Sequence, residues 1–185
     1  MKKNILVCGI IGGLITGLWA VVCEGVLSGS SLNMRMALTY TAMILAFSLI
    51  FVAIKNYRDN YNSGTITFGK ALQTGLLITL IASTIYVITW MIDFSYFIPD
   101  YGDKYQAQVL AEMKASGASA QAIKTQAAEL AATMGKYKTN FLFRAMFTYL
   151  EIVPVGIIVS LIAAGILRKK ERDTTTVDAA ILSQS

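Results

Sequence analysis

The chain has 185 residues, 55% of them hydrophobic and only 15% charged, with a formal net charge of +5 and a mean hydropathy of +0.57. A soluble domain carries about 25% charged and 45–50% apolar residues, so this composition excludes a disordered chain, a disulfide scaffold and most soluble folds. The absence of histidine excludes any mechanism that needs an imidazole base, ligand or relay.

Four stretches come close to or exceed the roughly 18–20 apolar residues that cross a bilayer core, and backbone groups in lipid must bond within their own segment, so each predicts a helix. The first, Ile5 to Cys23, has no charge. Lys2 and Lys3 precede it as in a signal peptide, but the apolar run exceeds a typical h-region and no convincing small-x-small site follows, so an uncleaved span is expected. Cys8 and Cys23 sit on this one helix, about 22 Å of rise apart, too far for a mutual disulfide. The second run is Met36 to Ile54. A loop from Lys55 to Lys70 follows, with Asn62-Ser63-Gly64 as a turn, Thr67 as the N-cap of the next helix and Tyr57, Tyr61 and Phe68 at the membrane interface.

The third run is Ala71 to Ile92. The segment from Asp93 to Arg144 is long. Its first part, to Asp103, mixes aromatics with Pro99 and Gly102 and is expected at the surface. Tyr105, Val109 and Met113 then recur at helical spacing, Gly117 stops that helix, and Ser119 caps a second one with Ile123, Ala127, Leu130 and Met134 as its stripe and Gly135 as its expected end. The fourth run, Ala145 to Leu167, is interrupted by Glu151, and the polar tail 173–185 is expected to be disordered. The expected architecture is therefore an all-α membrane protein: one four-helix transmembrane domain over 1–172, spans at about 5–26, 36–54, 70–92 and 145–167, and an extracytoplasmic helical hairpin within 93–144.

Basic residues set the orientation. Lys2, Lys3, Lys55, Arg58, Lys70, Arg168, Lys169, Lys170 and Arg172 all fall on one side of an even number of spans, so the N- and C-termini are expected in the cytoplasm and the protein in a bacterial inner membrane. These residues flank spans and form no aromatic-interleaved patch, so nucleic acid is not an expected partner. The lipid bilayer is, together with a homo-oligomer or a second membrane protein.

Small residues recur every fourth position in three spans: Gly9, Gly13 and Gly17; Gly75, Thr79 and Ser83; Gly156, Ser160 and Ala164. Such stripes permit close helix approach, within one chain or between copies. Glu151 is the sharpest single residue, because a carboxylate at membrane depth must be protonated, paired or hydrated. Pro154 cannot donate to the Leu150 carbonyl, which frees an acceptor near it. Glu24, Arg35, Asp93 and Arg144 are expected at a similar level. The group could hold a proton, a cation or a small ligand, and the simpler alternative is a salt bridge of Glu151 with Arg144 or Arg35. No Gly-x-Ser-x-Gly, P-loop, dinucleotide fingerprint or Cys-x-x-Cys pair is present, and Asp100 and Asp103 are too few for calcium, so no catalytic residue, cofactor or metal is expected.

Three motifs occur in order: Tyr57-Arg58-Asp59 with Gly64-x-Ile66-Thr67-Phe68-Gly69-Lys70-Ala71; Ala82-Ser83-x-Ile85-Tyr86; and Leu150-Glu151-Ile152-x-Pro154-x-Gly156 with Ser160-Leu161-Ile162-x-Ala164 and Arg168-Lys169-Lys170. With them the chain resembles domain-of-unknown-function family 4199, small membrane proteins frequent in Bacteroidota. The resemblance implies four spans and an extracytoplasmic helical insert, and brings no activity or catalytic residues. The functional expectation is a non-enzymatic membrane subunit or interaction protein, with a small oligomeric permease or ion-coupled transporter using Glu151 as the alternative.

Overall fold

The computed structural model describes residues 2–27 and 29–169. The tail 173–185, with Lys170 and Arg172, lies outside the described residues. The described residues are predominantly helical: α1 Lys2–Val26, α2 Leu32–Phe47, α3 Leu49–Tyr61, α4 Phe68–Tyr96, α5 Tyr101–Ala115, α6 Ala120–Thr139 and α7 Phe141–Leu167. Four elements are long and apolar enough to cross a membrane: α1, α2 with α3 as one unit, α4 and α7. Their lipid-facing sides carry large exposed apolar residues such as Leu18, Leu45, Leu80 and Ile166.

The second expected span is longer than 36–54. It starts at Leu32, where the Ser31 hydroxyl caps the Met34 N–H, and ends at Tyr61. Ser48 divides it without breaking it: the residue stays in the right-handed helical region, while its hydroxyl donates to the Leu45 carbonyl at 2.6 Å. The loop after it shrinks to 62–67. Ser63 and Gly64 both take positive φ there, as the Asn62-Ser63-Gly64 turn predicts, and Thr67 caps α4 through the Lys70 N–H.

The bundle is held by its small residues. α4 packs against α1 on one side and α7 on the other. A methyl group at Gly13 would stand 2.9 Å from the Ala82 carbonyl oxygen, one at Gly17 would meet Thr89, and one at Gly9 would meet Ile81. Gly75 receives Ser160 and Gly156 receives Thr79, and the Thr79 and Ser160 hydroxyls are 3.3 Å apart. The glycine stripes are thus spent inside one chain, where contact distance, in the absence of a hydrophobic drive between helices in lipid, sets association.

Lys2, Lys3, Lys55, Arg58, Lys70, Arg168 and Lys169 gather at the end away from the α5–α6 hairpin. Ile66 and Lys169 exchange both backbone hydrogen bonds at 2.9 Å, Arg58 donates to the Leu167 carbonyl, and the Asn4 amide donates to the Ala53 carbonyl. The opposite end carries the α5–α6 hairpin. Its turn uses Gly117 at φ 78° and the Ser119 cap, as the sequence predicts. Two expectations there need correction. Gly135 does not end α6, which continues to Thr139 because nothing after Gly135 breaks the pattern until Asn140 caps α7. The 93–103 stretch is not all surface: α4 runs on to Tyr96, Asp93 and Phe94 are buried, and Gly102 packs against Lys138 and Met134 of α6.

Candidate functional site

Beneath the hairpin lies a cavity of about 600 Å³. Its walls come from the hairpin-side ends of α1, α2, α4 and α7 and from the facing sides of α5 and α6. A second cleft of about 410 Å³ between α1 and α2, lined by residues such as Ile15, Trp19 and Leu45, carries no titratable group and faces the lipid side. The first is the candidate site.

Glu151 stands in the wall of this cavity. It lies ten residues into α7 from Phe141, roughly 15 Å of rise, and Tyr86 lies ten residues from the end of α4, at matching depth. Glu24 and Arg35 line the same cavity and form an ion pair. The other Arg35 branch donates to Gln108 Oε1 at 3.1 Å. Glu129 of α6 is exposed at the cavity's edge. Of the expected polar group, the structure therefore brings together Glu24, Arg35 and Glu151.

The other three members lie elsewhere. Arg144 does not pair with Glu151. It is 7% exposed and lies outside the cavity lining. Its guanidinium donates to the Tyr137 and Lys138 carbonyls at 3.0 and 3.2 Å and sits 4.2 Å from the centre of the Phe94 ring. These carbonyls belong to the last turn of α6, the negative end of that helix dipole, which supplies the counter-charge a carboxylate was expected to supply. Arg35 is taken by Glu24. Among the described residues no cation lies within ion-pair distance of Glu151. Asp93 is buried outside the cavity, with one carboxylate oxygen lacking a partner among the described residues. Pro154 is exposed on the outer side of α7, which continues through it.

Aromatic rings form much of the remaining wall. Trp90 Nε1 donates to the Tyr137 hydroxyl at 2.6 Å, and the Trp90 and Tyr101 rings meet edge to face at 5.1 Å. Tyr101 stacks on Tyr105, and Tyr137 meets Phe147 at right angles. Burial raises the Tyr101 and Tyr137 phenols above the ordinary tyrosine range, and the Glu151 charge raises both further. Sequence reasoning missed these rings as lining because aromatics near span ends read equally well as an interfacial belt. The Tyr86 to Trp90 spacing, one helical turn on the face that buries Asp93 and Phe94, was the available signal.

A latch closes one side. Gln108 Nε2 donates to the Ser30 carbonyl at 2.9 Å, and Glu112 accepts the Leu32 N–H at 2.9 Å, so α5 grips the α1–α2 connection. Asp100 and Asp103, too few for a calcium site, serve in ion pairs: Asp100 with Lys104 at 2.8 Å and Asp103 with Lys138. Cys8 and Cys23 are both free thiols, and Cys23 borders the cavity near Thr39.

No curated protein and no solved structure matches this chain significantly. A family model described as a protein of unknown function, DUF4199, matches residues 8–169, which runs from within α1 to the end of α7 and takes in the hairpin, and the chain belongs to that family.

Proposed function

We propose that this is a non-enzymatic multi-pass protein of the inner membrane, with cytoplasmic termini, that receives a small guest in the cavity under its external hairpin and presents the hairpin to a partner protein. The observation that carries this reading is the cavity itself: about 600 Å³, within the usual range of small-molecule sites, with a few polar groups converging on an aromatic wall. The orientation is supported by the gathering of Lys2, Lys3, Lys55, Arg58, Lys70, Arg168 and Lys169 at the end away from the cavity. Binding rather than turnover is favoured because the chain has no histidine and no recognisable pairing of nucleophile with base.

Native mass spectrometry of the gently extracted protein tests the reading. A small-molecule adduct on the wild type that disappears when Leu130→Trp fills the cavity supports it. A wild type that emerges bare, or an adduct indifferent to Leu130→Trp, refutes it.

A second reading, an ion-coupled permease assembled from several copies, is favoured by one feature: Glu151 borders the cavity and no described cation lies within ion-pair distance of it. Proton-coupled flux in proteoliposomes that is lost in Glu151→Gln would select this reading.

A further inference from the structure

We propose that the guest is a small organic cation, an ammonium compound with an apolar body; this rests on the reading that the cavity is a binding site. The charge balance of the wall argues for it. Three carboxylates, Glu24, Glu129 and Glu151, face one guanidinium, Arg35. Arg35 is already committed to Glu24 and to Gln108, so the cavity offers an anion no cation of its own. Glu151 and Glu129 remain uncompensated by any described cation within ion-pair distance, one within the wall and one at the edge.

The neutral part of the wall points the same way. A buried carboxylate in low dielectric is stabilised most by a cation brought to it. The rings of Tyr86, Trp90 and Tyr101 surround the same space, and aromatic faces attract cations, most strongly where water is excluded. Glu151, Tyr101 and Tyr137 all line this cavity, so carboxylate and rings share one space. An ionised Glu151 repels an anionic guest, and a purely apolar guest leaves the carboxylate to take up a proton, whereas a cation keeps it charged and paired. The volume exceeds what a bare metal ion needs, and no cluster of three metal-ligating side chains exists among the described residues.

The test is a charge series at constant shape on the full chain in non-ionic detergent. Choline, 3,3-dimethylbutan-1-ol and 3,3-dimethylbutanoate share a branched head and carry positive, zero and negative charge. Binding is read from Trp90 fluorescence in a Trp19→Phe background. Choline is expected to bind about tenfold or more tighter than the alcohol, with the carboxylate weakest. Glu151→Gln is expected to erase about tenfold of choline affinity and to leave the alcohol unchanged, and Glu129→Gln to act in the same direction more weakly. An alcohol that equals choline, a carboxylate that exceeds it, or no binding by any of the three overturns the cation assignment. If Glu151→Gln fails to fold, the wild-type series decides alone. Binding of all three that ignores Leu130→Trp overturns the cavity reading beneath it.

Discussion

At the scale of single residues, the absence of a side chain does as much as its presence. Gly13 lets α1 approach until only hydrogen fits against the Ala82 carbonyl, a backbone atom that cannot swing aside. Gly13→Val is therefore expected to destabilise the bundle by about 1–3 kcal/mol or more. Gly165 has open space around it within a helix, and Gly165→Ala is expected to hold or raise stability by roughly 0.5–1 kcal/mol. Detergent unfolding followed by circular dichroism would separate the two, and equal effects would remove the packing argument. Arg144 is the second case. Its charge is held by two carbonyls and a ring, and hydrogen bonds to a charged group are worth roughly 1.5–3 kcal/mol. Arg144→Met is expected to cost that order of stability. Arg144→Lys is expected to restore little, because one guanidinium nitrogen bonds both carbonyls while Nε reaches Met91 Sδ and the planar group lies over the Phe94 ring, a set that a compact ammonium cannot make at once. Full rescue by lysine in the same unfolding assay would show that charge alone matters. That the charge of Arg144 had to be satisfied was legible in the sequence. That the α6 terminus would do it, in place of Glu151, was not, because the pairing depends on where α6 ends.

At the scale of elements, the helices beyond the spans decide whether the cavity exists. The α5–α6 hairpin is tied down by Gln108 and Glu112 at one edge and by Tyr101 and Tyr137 beneath it. Both phenols are raised by burial, so the docked hairpin favours their neutral forms. The sign follows from linkage: with the folded values above the unfolded value of about 10, the stabilisation is complete below about pH 10 and is lost as the pH climbs through the folded values. Raising the pH beyond about 10 is thus expected to undock the hairpin while the spans stay helical. Tyrosinate absorbance combined with hydrogen exchange in α5 checks this, and Tyr101→Phe should blunt the transition. Ordinary tyrosine titration with an undisturbed hairpin would contradict it. The hairpin's turn, its Ser119 cap and its stripes were readable locally, since Gly117 and Ser119 act on their own neighbours. The extension of α6 past Gly135 was not, because one glycine only weakens a helix that tertiary contacts through Met134 and Tyr137 hold in place.

At the scale of the whole molecule, charge asymmetry and the position of the cavity give one topological prediction. With Cys8 and Cys23 replaced by serine, Ser116→Cys in the hairpin is expected to react with an impermeant thiol reagent on intact cells, and Ser63→Cys in the 62–67 loop only after permeabilisation. The reverse pattern would turn the molecule over and place the cavity in the cytoplasm. The sequence by itself determined the class: four apolar runs, the basic residues of one end, the helical hairpin and the small-residue stripes follow from composition and periodicity, which are local properties. Tertiary structure alone decided which polar groups meet. Glu24 and Arg35 join across the α1–α2 connection, and Glu151 lines one cavity with Tyr86, Trp90 and Tyr101 and has no described cation within ion-pair distance, while Asp93 is buried outside the cavity and Arg144 turns to the end of α6. The physical reason is that depth along a helix can be counted from sequence at 1.5 Å per residue, whereas the direction a side chain faces toward other helices depends on how the stripes of Gly13, Gly75 and Gly156 rotate those helices into contact.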